Sequence, residues 1–103
     1  MINTPNIDLD NIDVRMDKAE SRFHVTMIDA EDAYLEYQLH DDNTMEFTKT
    51  YVPESLREMG LGEHIVNHAF EFVRQNDRRV KVSCPFVENF LTKYDHYREY
   101  VVE

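Results

Sequence analysis

From Arg22 onward, apolar and polar residues alternate along the chain. Phe23, Val25 and Met27 stand between polar neighbours with the period of a half-buried strand. Asp29–Asp32 supplies polar turn residues, and Ala33, Leu35, Tyr37 and Leu39 then repeat the alternation as a second strand. After a turn at His40–Asn43, the residues Met45, Phe47 and Tyr51 mark a third strand that ends at Pro53. Three consecutive strands with short connections predict an antiparallel meander. The period then changes: Leu61, Ile65, Val66, Ala69, Phe70 and Val73 recur at spacings of three and four. That spacing predicts one face of a helix of about four turns. Arg79–Ser83 reads as a further strand through Val80 and Val82, and Phe86, Val87, Phe90, Leu91 and Tyr94 form the apolar face of a last helix. Ser83 or Cys84 can cap that helix, and Pro85 suits its first turn.

The predicted order is β-β-β-α-β-α in an α/β (α+β) domain with a mixed sheet. A helix separates the third and fourth strands, so these two are expected to lie side by side in parallel, joined by a right-handed crossover. Met1–Glu20 is rich in Asp and Asn and contains Pro5, with only weak alternation at Ile7, Leu9 and Ile12. It reads as a flexible amino-terminal extension (1–20) before a single domain (21–103).

Bulk properties narrow the function classes. The 103 residues suffice for one core. There is no run near the roughly 20 apolar residues that cross a bilayer, and no secretory signal pattern. The one cysteine, Cys84, excludes an internal disulfide framework and a multi-cysteine zinc site. These features fit a soluble, cytoplasmic protein. The formal charge of −10 argues against a nucleic-acid partner, which would require clustered Lys and Arg. It also sits awkwardly with any anionic ligand, unless backbone amides do the binding.

The only two glycines, Gly60 and Gly62, fall where the third strand gives way to the long helix. Glycine inside a helix costs about 1 kcal/mol relative to alanine. Two at one helix start therefore imply unusual backbone angles or a close approach to the main chain. The first amides of a helix lack internal partners and share the positive end of its dipole, an arrangement that suits a phosphate. Arg57 adds a cation just upstream. A plainer alternative is that Gly60 relaxes the turn and Gly62 permits close packing. The segment has neither the Gly-Lys-Ser/Thr ending of a nucleotide P-loop nor the third glycine of a dinucleotide fingerprint.

Arg57-Glu58-Met59-Gly60-Leu61-Gly62 resembles the Arg/Gln-x-x-Gly-x-Gly/Ala signature of the GNAT acetyltransferase superfamily. Tyr51-Val52-Pro53 before it and Cys84-Pro85-Phe86-Val87 after it are similar to a small, single-domain branch of that superfamily. The likeness runs from about Phe23 to Val102. It implies that the strand before the signature and the strand after the long helix splay apart to admit the pantetheine arm of acetyl-coenzyme A. By this resemblance Thr50, Tyr51 and Val52 would lie beside the thioester end, with main-chain groups available to pantetheine. The pyrophosphate would rest on the turn formed by Arg57, Glu58, Met59, Gly60, Leu61, Gly62 and Glu63.

Candidates for the chemistry itself are fewer. Cys84, at a helix start, could accept an acetyl group, although free cysteine is among the most buried residue types. Direct acetylation needs a neutral amine and a group to take its proton. The branch commonly has a histidine two residues before Tyr51, whereas this chain has Lys49, and a protonated lysine cannot act as a base. Glu46 and His40 are near in sequence. Tyr94 could return a proton to the leaving thiolate, though its spacing also suits the core. His64 and His68 lie four apart but lack a third ligand, so no metal site is expected. Tyr94, Tyr97 and Tyr100 suggest a packing seam or part of a dimer surface.

Two functions follow from the resemblance. One is an acetyl-coenzyme A-dependent N-acetyltransferase acting directly on an amine, such as a lysine side chain or polyamine drawn in by the acidic surface. The other is a module that binds coenzyme A or an acyl-coenzyme A and acts through a partner protein.

Overall fold

In a computed structural model of the protein, the structure describes residues 12–26, 31–40 and 42–102. Five strands form one sheet in sequence order: β1 (Arg15–Asp17), β2 (Arg22–Val25), β3 (Ala33–Leu39), β4 (Thr44–Tyr51) and β5 (Arg79–Val82). The first four are antiparallel, and β4 and β5 are parallel, with Thr44 beside Arg79 and Phe47 beside Val82. Helix α1 (Leu61–Gln75) joins β4 to β5 after a short 3-10 turn at Glu54–Leu56. Helix α2 (Pro85–Lys93) follows β5, and a second 3-10 segment (Asp95–Tyr100) completes the order. A last bridge pairs Val80 with Val101, where the Val102 N–H donates to the Val80 carbonyl at 2.8 Å.

The mixed sheet, the parallel β4–β5 pair and the two helices match the sequence reading, with one correction. The meander has four strands rather than three, because Arg15–Asp17, assigned to the extension, pairs with Arg22–His24. Val14 beside it is buried at 6% exposure. The strand was missed because it is only three residues long and carries Arg15 and Asp17, so it shows no alternation to read. Residues 1–11 of the expected extension, Met27, and parts of the two expected turns (29–30 and 41) lie outside the described residues.

One face of the sheet carries the core. Phe23, Val25, Ala33, Leu35, Tyr37, Met45 and Phe47 point to the side covered by α1 and α2. Phe70 of α1 sits at the centre: its ring is 5.3 Å from Phe47, 5.9 Å from Phe90 and 4.9 Å from Tyr97, centroid to centroid. Burial of one such ring contributes about 1.5–3 kcal/mol. Tyr97 therefore belongs to a packing seam. Helix α1 stops at Asn76, whose Nδ2 donates to the Phe72 carbonyl at 2.8 Å. The chain then reverses through Asp77 at φ 52°, a turn held by Asn43 Nδ2 on the Asp77 carbonyl at 2.9 Å.

Strand β4 contains an irregularity that matters for the site. Tyr37 faces Phe47, yet Glu36 faces Lys49, so Thr48 is an extra residue on β4. A bulge of this kind shifts the side-chain alternation by one. Met45 and Phe47 point into the core before it. After it, Thr50 shares the inner face with Leu35, and Lys49 and Tyr51 share the outer face with Glu36 and Tyr34.

Candidate functional site

The site begins where β4 outruns β5. Pairing ends at Phe47 and Val82, and the Ser83 N–H donates to the Phe47 carbonyl at 3.0 Å. Strand β4 continues to Tyr51, while the segment after β5 turns away into α2 with Cys84 as its N-cap and Pro85 in the first turn. The edge of β4 beyond Phe47 is thereby left without a β5 neighbour. At the same end, Gly60 caps α1 in a left-handed conformation, φ 82° and ψ 6°. A residue with a Cβ pays for that conformation, which accounts for the glycine. The first helical hydrogen bond runs from the His64 N–H to the Gly60 carbonyl at 3.0 Å. The amides of Leu61, Gly62 and Glu63 consequently have no intrahelical acceptor.

These two features bound one cleft of about 440 Å³. Its lining includes Thr50 and Tyr51 from the end of β4 with Val52 just beyond it, Arg57 and Glu58 from the turn, and Gly60 to Glu63 from the cap and first residues of α1. Of the residues proposed from the sequence to hold a coenzyme, only Met59 is missing from this lining. The volume is within the usual range of small-molecule sites, about 300–1,000 Å³. Leu56 and Phe86 also line the cleft and were not expected to. Phe86 had been assigned to the buried face of α2, but its ring is 38% exposed and lies over Gly62. A signal was present: a helix glycine without a Cβ needs something large to occupy the vacated space.

Arg57 holds the two walls together, with its Nε donating to the Val52 carbonyl at 2.9 Å. That carbonyl is thus already engaged. Tyr51 turns its hydroxyl the other way, to Glu31 Oε1 at 3.0 Å. The Glu31 carboxylate accepting this bond, followed by partial burial, holds the Tyr51 phenol above its ordinary pKa. Glu63, in the first turn of α1, pairs with Lys93 Nζ at 2.8 Å and accepts the Tyr94 hydroxyl at 3.3 Å.

The proposed chemical residues are dispersed around this cleft. Cys84 is buried at 4% exposure, with its Sγ 3.3 Å from Thr50 Oγ1. It thus lies directly behind the lining. Tyr94 is the C-cap of α2; its ring stacks on Phe90 at 4.6 Å and its hydroxyl reaches the rim through Glu63. Lys49 is not brought to the cleft. The bulge puts it on the outer face, with Nζ 5.9 Å from the Tyr34 ring centroid. Glu46 is on that face too, bridging His40 Nε2 at 3.0 Å and Ser83 Oγ at 2.5 Å. The Ser83 hydrogen bond, then the one from His40, holds the Glu46 carboxyl below the ordinary glutamate pKa. This makes it a weaker base.

His64 and His68 do not converge on a third ligand. His64 Nε2 lies 3.4 Å from the Ile12 carbonyl, and His68 meets the Phe23 ring edge-on. Burial, then the neighbouring His64, pushes the His68 pKa down. Among the described residues, no group of three or more His, Cys, Asp and Glu could hold a metal ion. Among the same residues, no helix is long and apolar enough to cross a membrane.

Comparison with known proteins bears on the family and the fold. A family model described as GCN5-related N-acetyl-transferase matches residues 22–100. The chain is 26% identical over 84 residues to the protein NATD1 of Danio rerio, covering 81% of this chain and 76% of that one. It is 28% identical over 81 residues to NATD1 of Bos taurus, covering 78% and 72% respectively. A solution NMR structure of a GCN5-like protein from Staphylococcus aureus shares the fold, with a TM-score of 0.69, 23% identity and 89% coverage of both chains.

Proposed function

We propose, from the premise that this chain belongs to the GCN5-related N-acetyltransferase family, that it binds acetyl-coenzyme A in the β4–α1 cleft and passes the acetyl group to an amine. One observation carries this reading. The open end of β4 and the free amides that start α1 line the same cavity.

The residues present suit such a ligand. The amides of Leu61, Gly62 and Glu63 can donate to a pyrophosphate without requiring net positive charge from the protein. Arg57 adds a cation and keeps the end of β4 in place through Val52. Leu56, Leu61 and Phe86 give the cavity apolar walls suited to a pantetheine arm. When bound, acetyl-coenzyme A supplies a thioester whose acetyl group a neutral amine can accept. Main-chain donors on the stretch of β4 without a β5 neighbour would polarise a carbonyl there, an effect that is often large in catalysis. The Tyr94 hydroxyl, which donates to Glu63, is a candidate to return a proton to the leaving thiolate. The acidic surface favours a cationic acceptor such as a lysine side chain or a polyamine.

An amide-resolved titration with coenzyme A tests the binding step. The largest shifts are expected at Gly60–Glu63 and Thr50–Val52, with weaker binding by Arg57→Ala. Shifts scattered over the surface, or none at millimolar ligand, would sink the assignment.

A second reading, binding without transfer, draws on a specific feature. The carboxylates that line the cleft are Glu58 and Glu63, and Glu63 is paired with Lys93; Lys49 faces away. Amine acceptors incubated with acetyl-coenzyme A and followed by mass separate the two. An acetylated product supports transfer, and its absence across lysine peptides and polyamines supports a binding module. Intact mass in the same experiment tests Cys84: an added acetyl group that neutral hydroxylamine removes and that Cys84→Ser does not take up would make that cysteine a carrier.

A further inference from the structure

The charges around the cleft do not balance within its own walls. The lining contributes one cation, Arg57, against two carboxylates, Glu58 and Glu63. The whole chain is at −10, so this arrangement opposes a ligand that carries several phosphate charges. Glu63 is the more damaging of the two carboxylates. It occupies the first turn of α1, where its charge competes with a bound anion for the same helix dipole and the same free amides.

Lys93 corrects the imbalance from a different element. It is the last residue of α2, thirty positions away in sequence, and its Nζ contacts Glu63 Oε1 at 2.8 Å. Tyr94 adds a hydrogen bond to the other carboxylate oxygen. With Lys93 counted, two cations face two carboxylates. The pair is not a buried structural bridge, since the Lys93 side chain is 61% exposed and that of Glu63 33%. Exposed pairs of this kind add little to folding stability. What the pair changes is the electrostatic potential at the mouth of the cleft.

We propose that Lys93 is a positioning residue for the anionic ligand: by masking Glu63, it makes the start of α1 able to accept the ligand's phosphates. This inference rests on the coenzyme reading and deepens it. It makes Glu63 an opponent of binding, although Glu63 stands in the wall of the site. A residue that simply contributed to the site would show the opposite sign.

The test is calorimetric titration with coenzyme A at low ionic strength, about 20 mM, on wild type, Lys93→Gln, Glu63→Gln and the double variant. Lys93→Gln should weaken binding about fivefold and Glu63→Gln should tighten it by a similar factor. The double variant should return close to wild type. These differences should shrink at about 0.3 M salt, where the screening length is shorter than about 10 Å. A thermal melt of each variant establishes that it is folded, and the Glu63→Gln arm reads the sign even if Lys93→Gln does not fold. Unchanged affinity in Lys93→Gln, or weaker binding by Glu63→Gln, would overturn the proposal while leaving the coenzyme reading intact. No binding by wild type would instead sink the coenzyme reading, and this inference with it.

Discussion

The ring of Phe86 fills the space in which a side chain on Gly62 would start: a Cβ built on Gly62 lies 2.7 Å from Phe86 Cζ. Helix α2 is thereby seated against the first turn of α1, and the same ring forms part of the cleft wall.

Gly62→Ala should therefore behave differently in two backgrounds. In wild type the methyl group must push the half-exposed ring aside, at a cost of about 1 kcal/mol, largely offset by the better helix propensity of alanine. In a Phe86→Ala background the clash is gone and the same substitution should be neutral or stabilising by up to about 1 kcal/mol. Urea unfolding of the four proteins measures this coupling, and additive effects would show that the contact is not what requires the glycine.

Gly60 is required for a different reason. Its φ of 82° places it in the left-handed region. Gly60→Ala should lose about 1–2 kcal/mol of stability, whatever the neighbouring space allows. Gly60→Asn should lose less, because asparagine tolerates that region. Equal losses in both variants would mean that packing, not backbone conformation, governs the position.

Tyr97 gives a pH signature. Burial, followed by its hydrogen bond to Glu71, pushes its phenol up to about 12, from a usual 10.0. A folded-state pKa above the unfolded one contributes stability that is fully present below pH 10 and is lost as pH rises towards 12. Tyr97→Phe also removes the hydroxyl that contacts Asn67 and Glu71 at 2.8 Å, at a cost of about 1 kcal/mol near neutrality. The stability gap between wild type and Tyr97→Phe should narrow steadily above pH 10. A gap that stays constant up to the alkaline limit of folding would refute the shift.

Much of this was legible in the chain itself, because the long elements bury one face each. The spacing from Leu61 to Val73 specifies α1, and the alternation at Ala33–Leu39 specifies β3, with no help from tertiary contacts. Two glycines beside a predicted strand end fall at the corner of the molecule where the cleft opens. What escaped depended on long-range geometry. Strict alternation put Tyr51 on the same face as Phe47, and the bulge at Thr48 reversed it; the hint was Lys49, a charge at what would otherwise be a core position. Lys93 carries no signal in the sequence, because its partner Glu63 is on another element. Phe86 was assigned to the core by spacing, although position two of a short helix at the open end of the β4–β5 pair leaves its ring half in solvent.

The bridge between Val80 and Val101 has a consequence for how these molecules behave at high concentration. Strand β5 would otherwise present bare amide and carbonyl groups to any passing strand, the usual template for intermolecular β-pairing. The stretch at Val101–Val102 occupies part of that margin, with the Val102 N–H on the Val80 carbonyl. Among the described residues the opposite margin is β1, three residues long, bounded by Arg15 and Asp17 and followed by Lys18, a length and charge that discourage strand addition. Shortening the chain to before Val101 removes the first of these guards while leaving the cleft residues in place. Such a version should still bind ligand when dilute, but should gather into β-rich aggregates when concentrated.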